Sequence, residues 1–181
     1  MNSGGRWFKK NVSLMGASEM VSTIYYLEMK DRRKFLPKVV PEGFSVARVM
    51  PPEPLWNARL YREVGGGWQW TDRLSWSEEE WSDYAGREAF ETWRAELEGE
   101  EAGYFELERQ EGGSVEILYF GLLPAMIGKG LGGAMLSMAI ERAWEIPGTV
   151  RVWVHTCTED HEHALVNYRR RGFEVFKVEE V

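Results

Sequence analysis

Residues 115–133, VEILYFGLLPAMIGKGLGG, constrain the fold of this chain more than any other stretch. An apolar run with strand character ends at Pro124, a glycine-rich turn follows, and a helical segment opens at once. Gly128, Gly130, Gly132 and Gly133 carry no side chains to block a close approach. Their backbone N–H groups are free to converge on an anion, and the helix from Leu131 to about Trp144 adds the positive end of its dipole. A strand, a glycine turn and a helix in this order suit a phosphate group.

Three phosphate sites compete for that segment. A Walker loop needs a glycine where Leu123 stands and a Ser or Thr where Gly130 stands, so it fails. The dinucleotide pattern G-x-G-x-x-G is met by Gly128, Gly130 and Gly133, but such a site opens a long βαβαβ unit and this chain ends at Val181. The third is the pyrophosphate loop Arg/Gln-x-x-Gly-x-Gly/Ala. Gly130 and Gly132 match it, with Gly128, Lys129 and Leu131 at the free positions, and Ile127 departs at the first.

Two further elements keep the spacing of that third reading. Leu122, Leu123 and Pro124 correspond to a V-x-P strand ending. His161, Ala164, Tyr168, Gly172 and Phe173 correspond to N-x-x-A-x-x-x-Y-x-x-x-G-F, with His161 in place of Asn. From about Phe44 to its end the chain resembles the GNAT superfamily of acyl-CoA-dependent N-acetyltransferases. The resemblance implies an α/β (α+β) GNAT fold: a mixed central sheet of six to seven strands with a splayed central pair, flanked by about four helices. An extra N-terminal strand precedes it. It also implies acetyl-CoA as acyl donor, an amine as acceptor, and no metal.

Local signals supply the elements. Strands are expected over 21–29, 44–50, 91–97, 102–109, 114–122, 149–156 and 173–178, and helices over 55–64, 131–144 and 161–171. Ser77 with Glu80 three residues on has capping-box spacing and starts a further helix. Glu111, Gly112 and Gly113 form a hairpin turn, and Asp160 stands where it would cap the last helix. Residues 1–20 read as a loose extension before a single domain over 21–181, with Met15 or Met20 as alternative starts.

Composition narrows the function class. No apolar run reaches membrane-span length, and a net charge of -7 argues against general nucleic-acid binding. The single Cys157 excludes an internal disulfide, suits a reducing cytoplasm, and reads as a buried small residue rather than an acyl carrier. Residues 41–110 hold sixteen acids against seven bases, which attracts a cationic amine or simply marks solvated helix faces.

The resemblance also assigns site residues. Backbone groups of 120–123, including Leu122 and Leu123, would hold the pantetheine arm and polarise the thioester carbonyl. The loop of Ile127, Gly128, Lys129, Gly130, Leu131, Gly132 and Gly133 would hold the diphosphate, with Lys129 compensating for the side chain missing at 127. Tyr168 would protonate the leaving thiolate, and Asn167 would bond the pantetheine or face solvent. Glu116 takes the place of the general base, on a strand face shared by alternation with Leu118 and Phe120. Glu106, His155 or ordered water are its alternatives.

Trp68, Trp70, Asp72 and Trp76 form an aromatic, acidic lid over the acceptor, and two or three tryptophans of the Trp68, Trp70, Trp76 and Trp81 set pack into the core. Trp56 borders the acceptor or joins the core. His161 and His163, two apart on a helix start, point different ways. The run Arg169, Arg170 and Arg171 reads as a solvated helix end in preference to a contact for the CoA 3′-phosphate. A non-catalytic acyl-CoA-binding module and a dinucleotide-binding protein are the rival functions, and the extra N-terminal strand offers an edge for homodimerisation.

Overall fold

The computed structural model describes residues 22–181. The expected extension over 1–20 lies outside the described residues. The described residues form one seven-stranded sheet, in the order β2-β3-β4-β5-β6-β1-β7. Its strands are β1 (Thr23–Met29), β2 (Phe44–Arg48), β3 (Phe90–Leu97), β4 (Glu100–Gln110), β5 (Ser114–Leu122), β6 (Arg151–Cys157) and β7 (Glu174–Glu180). Only β5 and β6 run parallel among the described strands. The successive parallel strands that a dinucleotide fold stacks around its glycine turn are therefore missing.

Among the described residues four α-helices cover the two faces: α1 (Pro54–Gly65), α2 (Glu78–Ala85), α3 (Gly132–Glu145) and α4 (Ala164–Arg170). Pro54 opens α1 at a position where its missing N–H costs nothing. The Ser77 hydroxyl accepts from the Glu80 N–H, and the Glu80 carboxylate accepts from the Ser77 N–H, so the expected capping box forms and fixes the start of α2. Ala134, Met135, Leu136, Ala139, Ile140 and Ala143 of α3 are buried against Val115, Ile117, Val152 and Val154 on one face. Ala58 and Tyr61 of α1 join Trp81, Tyr84 and Ala85 of α2 on the other.

Strand alternation breaks within β5, and that break positions the site. Phe105 faces Phe120 while Leu107 faces Ile117, so β5 carries an extra residue around Leu118 and Tyr119. Such a bulge bends the strand and reverses the facing of the residues beyond it. Leu118 and Tyr119 pack towards α1 and α2, whereas Phe120 and Leu122 pack with the α3 core. Glu116 and Phe120 therefore do not share a face, contrary to simple alternation. Pairing of β5 with β6 stops at Ile117 opposite Val154. Beyond it the two strands separate, which is the splay that the resemblance implied.

Several local expectations are corrected. The N-terminal strand β1 is not an edge: it lies between β6 and β7, antiparallel to both. The expected hairpin turn does form: Glu111–Gly113 join antiparallel β4 and β5 as a 3-10 turn, with Gly112 and Gly113 both at φ 72°. The last helix starts at Ala164 rather than 161, because Asp160 spends its Oδ2 on the Thr156 hydroxyl at 2.6 Å and the Cys157 N–H at 2.9 Å. It terminates β6 instead of capping α4. His161 and His163 then sit in a turn with ring centroids 5.2 Å apart, not on diverging helical positions.

Candidate active site

A cleft of about 1030 Å³ opens where β5 and β6 part. Past Ile117, the edge of β5 that faced β6 has no strand partner. Unpaired N–H and C=O groups along such an edge accept an extended chain of amides. Phe120, Gly121 and Leu122 line the cleft there. Leu123 does not: its N–H already donates to the Ala102 carbonyl at 2.9 Å, and its side chain packs beside Leu60, Val64 and Tyr104.

The glycine loop closes one end. Gly128 and Gly130 adopt φ of 82° and 76°, a region that side chains resist. The N-cap residue Leu131 supplies no side-chain bond, so the first-turn N–H groups of α3 await another acceptor. Ile127, Gly128, Gly130, Leu131, Gly132 and Gly133 all line the cleft. Lys129 does not, and its Nζ lies 3.4 Å from Met126 Sδ. A side chain that does reach the loop is Lys38, from the connector between β1 and β2, with Nζ donating to the Gly130 carbonyl at 2.6 Å. No motif marks that lysine in the sequence.

Tyr168 and Asn167 line the same cleft from α4. The tyrosine is 7% exposed, with its ring edge-on to Phe120 at 6.4 Å and to Phe173 at 6.1 Å. Burial, reinforced by Asp160, pushes its hydroxyl well above the ordinary tyrosine range. It stays protonated throughout the neutral range.

Glu116 lies on the cleft wall next to His155, with Oε1 3.4 Å from Nδ1. Its other oxygen accepts from Gln110 Nε2 at 2.7 Å, and Gln110 Oε1 accepts from Trp153 Nε1 at 2.9 Å. The carboxylate thus has polar neighbours, where alternation suggests apolar ones. Gln110 orients it from across the β4–β5 hairpin. Glu106 is elsewhere: 1% exposed, it accepts from Asn57 Nδ2 at 3.1 Å and from the Tyr84 hydroxyl at 2.6 Å, outside the cleft lining.

The tryptophans divide. Trp68 and Trp70 line the cleft with Asp72. Trp68 packs on His161 at 5.1 Å across it, and Trp70 on Tyr119 at 4.7 Å. Partial burial raises the Asp72 pKa against the lowering pull of Arg73 and His155. Trp76 is not at the cleft. It packs against Trp81 and Tyr84 at 5.1 and 5.4 Å, beneath the guanidinium of Arg73. Trp56 is also removed from it, donating to Glu101 Oε1 at 2.6 Å and edge-on to Tyr104. Among the described residues no group of three or more His, Cys, Asp or Glu side chains is placed to hold a metal ion. No helix among them is long and apolar enough to cross a membrane.

Comparison with known proteins agrees with this geometry. The model of the acetyltransferase (GNAT) family matches residues 55–173. No curated protein matches the chain significantly. Among solved structures, a GCN5-related N-acetyltransferase from Kribbella flavida superposes with a TM-score of 0.62 at 19% identity, covering 88% of this chain and 58% of its own. One from Sphaerobacter thermophilus gives 0.68 at 18% identity, covering 87% and 50%. An aminoglycoside acetyltransferase from an uncultured soil metagenomic sample, in complex with sisomicin, gives 0.59 at 16%, covering 70% and 86%. At such identities the likeness is one of fold, and the chain spans little more than half the length of the first two.

Proposed function

The chain belongs to the GNAT acetyltransferase family, and from that premise we propose that it moves an acetyl group from acetyl-CoA to a small cationic or aromatic primary amine by direct attack. The observation that carries this reading is the parting of β5 and β6 between the glycine loop and Tyr168, since a thioester on a long amide arm needs such a slot. The donor supplies an activated acyl carbon. The residues supply position and proton traffic.

The ordinary amine pKa of ~10 leaves the acceptor charged at neutral pH. Glu116 and His155, side by side, take its proton directly or through water, and the freed nitrogen attacks the thioester carbonyl. A C–N bond forms as the C–S bond breaks, and Tyr168 passes its proton to the departing thiolate. Asn167 and the β5 backbone from Phe120 to Leu122 hold the arm. The free thiol Cys157, half-buried, has its pKa raised by burial and then Asp160, which makes it a poor nucleophile.

Two carboxylates, Asp72 and Glu116, line the same cleft as Trp68 and Trp70, which favours a cation over a neutral or acidic acceptor. The structurally similar aminoglycoside acetyltransferase adds aminoglycosides to the amines worth trying. Thiol release from acetyl-CoA, followed across polyamines, aminoglycosides, arylalkylamines, amino acids and peptides, tests the proposal. Small cations are expected to turn over fastest and to appear acetylated by mass spectrometry. Faster turnover of a peptide would overturn the acceptor class. Binding of acetyl-CoA without turnover of any amine would make the chain a binding module.

A further inference from the structure

The family loop begins with Arg or Gln, and Ile127 leaves that contact unfilled. Positive charge gathers nearby instead. A Cβ on Gly133, in the first turn of α3, would lie 2.8 Å from Lys38 Cδ, 3.3 Å from Asn167 Oδ1 and 3.4 Å from Arg171 Nη1. A bare backbone at Gly133 is what lets these three side chains meet.

The connector that brings Lys38 there is tied at two points. Its backbone N–H donates to Ser137 Oγ at 2.8 Å, and the Leu36 N–H donates to the Arg171 carbonyl at 3.1 Å. Lys38 and Arg171 both line the cleft. Arg171 Nε and Nη1 are buried with no hydrogen-bond partner among the described residues, and no described carboxylate pairs with either cation. Burial, with Arg170 adding repulsion, lowers the guanidinium pKa. Two unneutralised cations beside the positive end of a helix are unfavourable until an anion joins them. In a chain of net charge -7 such a concentration is local and specific.

We propose that Lys38 and Arg171 together replace the side chain missing at position 127 and clamp the diphosphate of CoA against the first turn of α3. The proposal rests on the acetyl-CoA reading above. It selects the diphosphate over the 3′-phosphate because both cations stand at the loop itself, at Gly130 and Gly133. Lys38 exchanges its bond to the Gly130 carbonyl for a phosphate oxygen, and Arg171 gains acceptors for its unpartnered N–H groups.

Calorimetric titration of CoA and dephospho-CoA tests it on wild type, Lys38→Met, Arg171→Gln and the control Arg169→Gln, which is exposed and outside the cleft. Circular dichroism of each unliganded variant reports folding. Lys38→Met and Arg171→Gln are each expected to weaken both ligands by roughly tenfold, to flatten the salt dependence of binding, and to leave the fold intact, with Arg169→Gln like wild type. A loss confined to CoA would assign the cations to the 3′-phosphate and overturn the proposal, as would unchanged affinity in either variant. Wild type that binds neither ligand would overturn the acetyl-CoA reading itself.

Discussion

Replacing Tyr168 by phenylalanine is expected to lower the rate of acetyl transfer roughly 10²–10³-fold while leaving acetyl-CoA affinity unchanged. The ring carries the packing, edge-on to Phe120 and Phe173, and phenylalanine keeps it. Only the hydroxyl is lost, and with it the proton for the thiolate. The direction of the pKa adds a second test. A hydroxyl held above the ordinary tyrosine value stays protonated as pH rises through ~10. The wild-type rate therefore climbs with amine deprotonation and shows no fall there from tyrosine ionisation. Steady-state kinetics over that range, with ligand titration, check both statements. A Phe variant with undiminished turnover would reduce Tyr168 to a packing residue.

Arg73→Met is expected to cost about 3–5 kcal/mol of stability, because it removes the cation that offsets the buried carboxylate of Glu106. Arg73 is 2% exposed, its guanidinium 3.8 Å above the Tyr84 ring and 4.6 Å from the rings of Trp76 and Tyr119. Burial pulls its pKa down, yet Tyr84, Tyr119 and Glu106 more than offset that and keep it charged. Glu106 is raised by burial even with Arg73 opposing, so loss of the cation raises it further. A carboxyl whose folded pKa exceeds its unfolded value favours folding fully only below the unfolded value. That contribution is lost as pH rises through the folded one. The deficit of the variant therefore shrinks near pH ~4.5 and is largest at neutral pH. Urea unfolding at both values measures it, and a deficit independent of pH would contradict the electrostatic coupling of Arg73 and Glu106. Asp72 precedes Arg73, so a variant that still folds is expected to show a raised KM for the amine with acetyl-CoA affinity retained. Arg73→Lys, which keeps the charge, loses less.

The parts legible in the sequence are those set by neighbours along the chain. Gly113 and Pro124 bound strand β5, Ser77 and Glu80 mark the capping box of α2, and the glycine loop is marked by its own spacing. The bulge at Leu118 and Tyr119 has no such mark, because only the register against Phe105 and Leu107 creates it. For the same reason alternation puts Phe120 with Glu116 rather than with Tyr168. The insertion of β1 between β6 and β7 depends on partners far along the chain. Trp76 and Glu106 look like site residues among the aromatics and acids of the middle segment. Their burial around Arg73 and Tyr84 is a tertiary event. Lys38 and Gln110 belong to no motif: Lys38 reaches the cleft through a contact between distant segments, and Gln110 acts on Glu116 across the β4–β5 hairpin.

A crystal structure of the protein with acetyl-CoA tests the central claim most directly. The account predicts the diphosphate on the N–H groups of the loop from Gly128 to Gly133, the arm between β5 and β6, and the thioester sulfur within hydrogen-bond reach of the Tyr168 hydroxyl. A ligand seated elsewhere, or a sulfur remote from Tyr168, would contradict it.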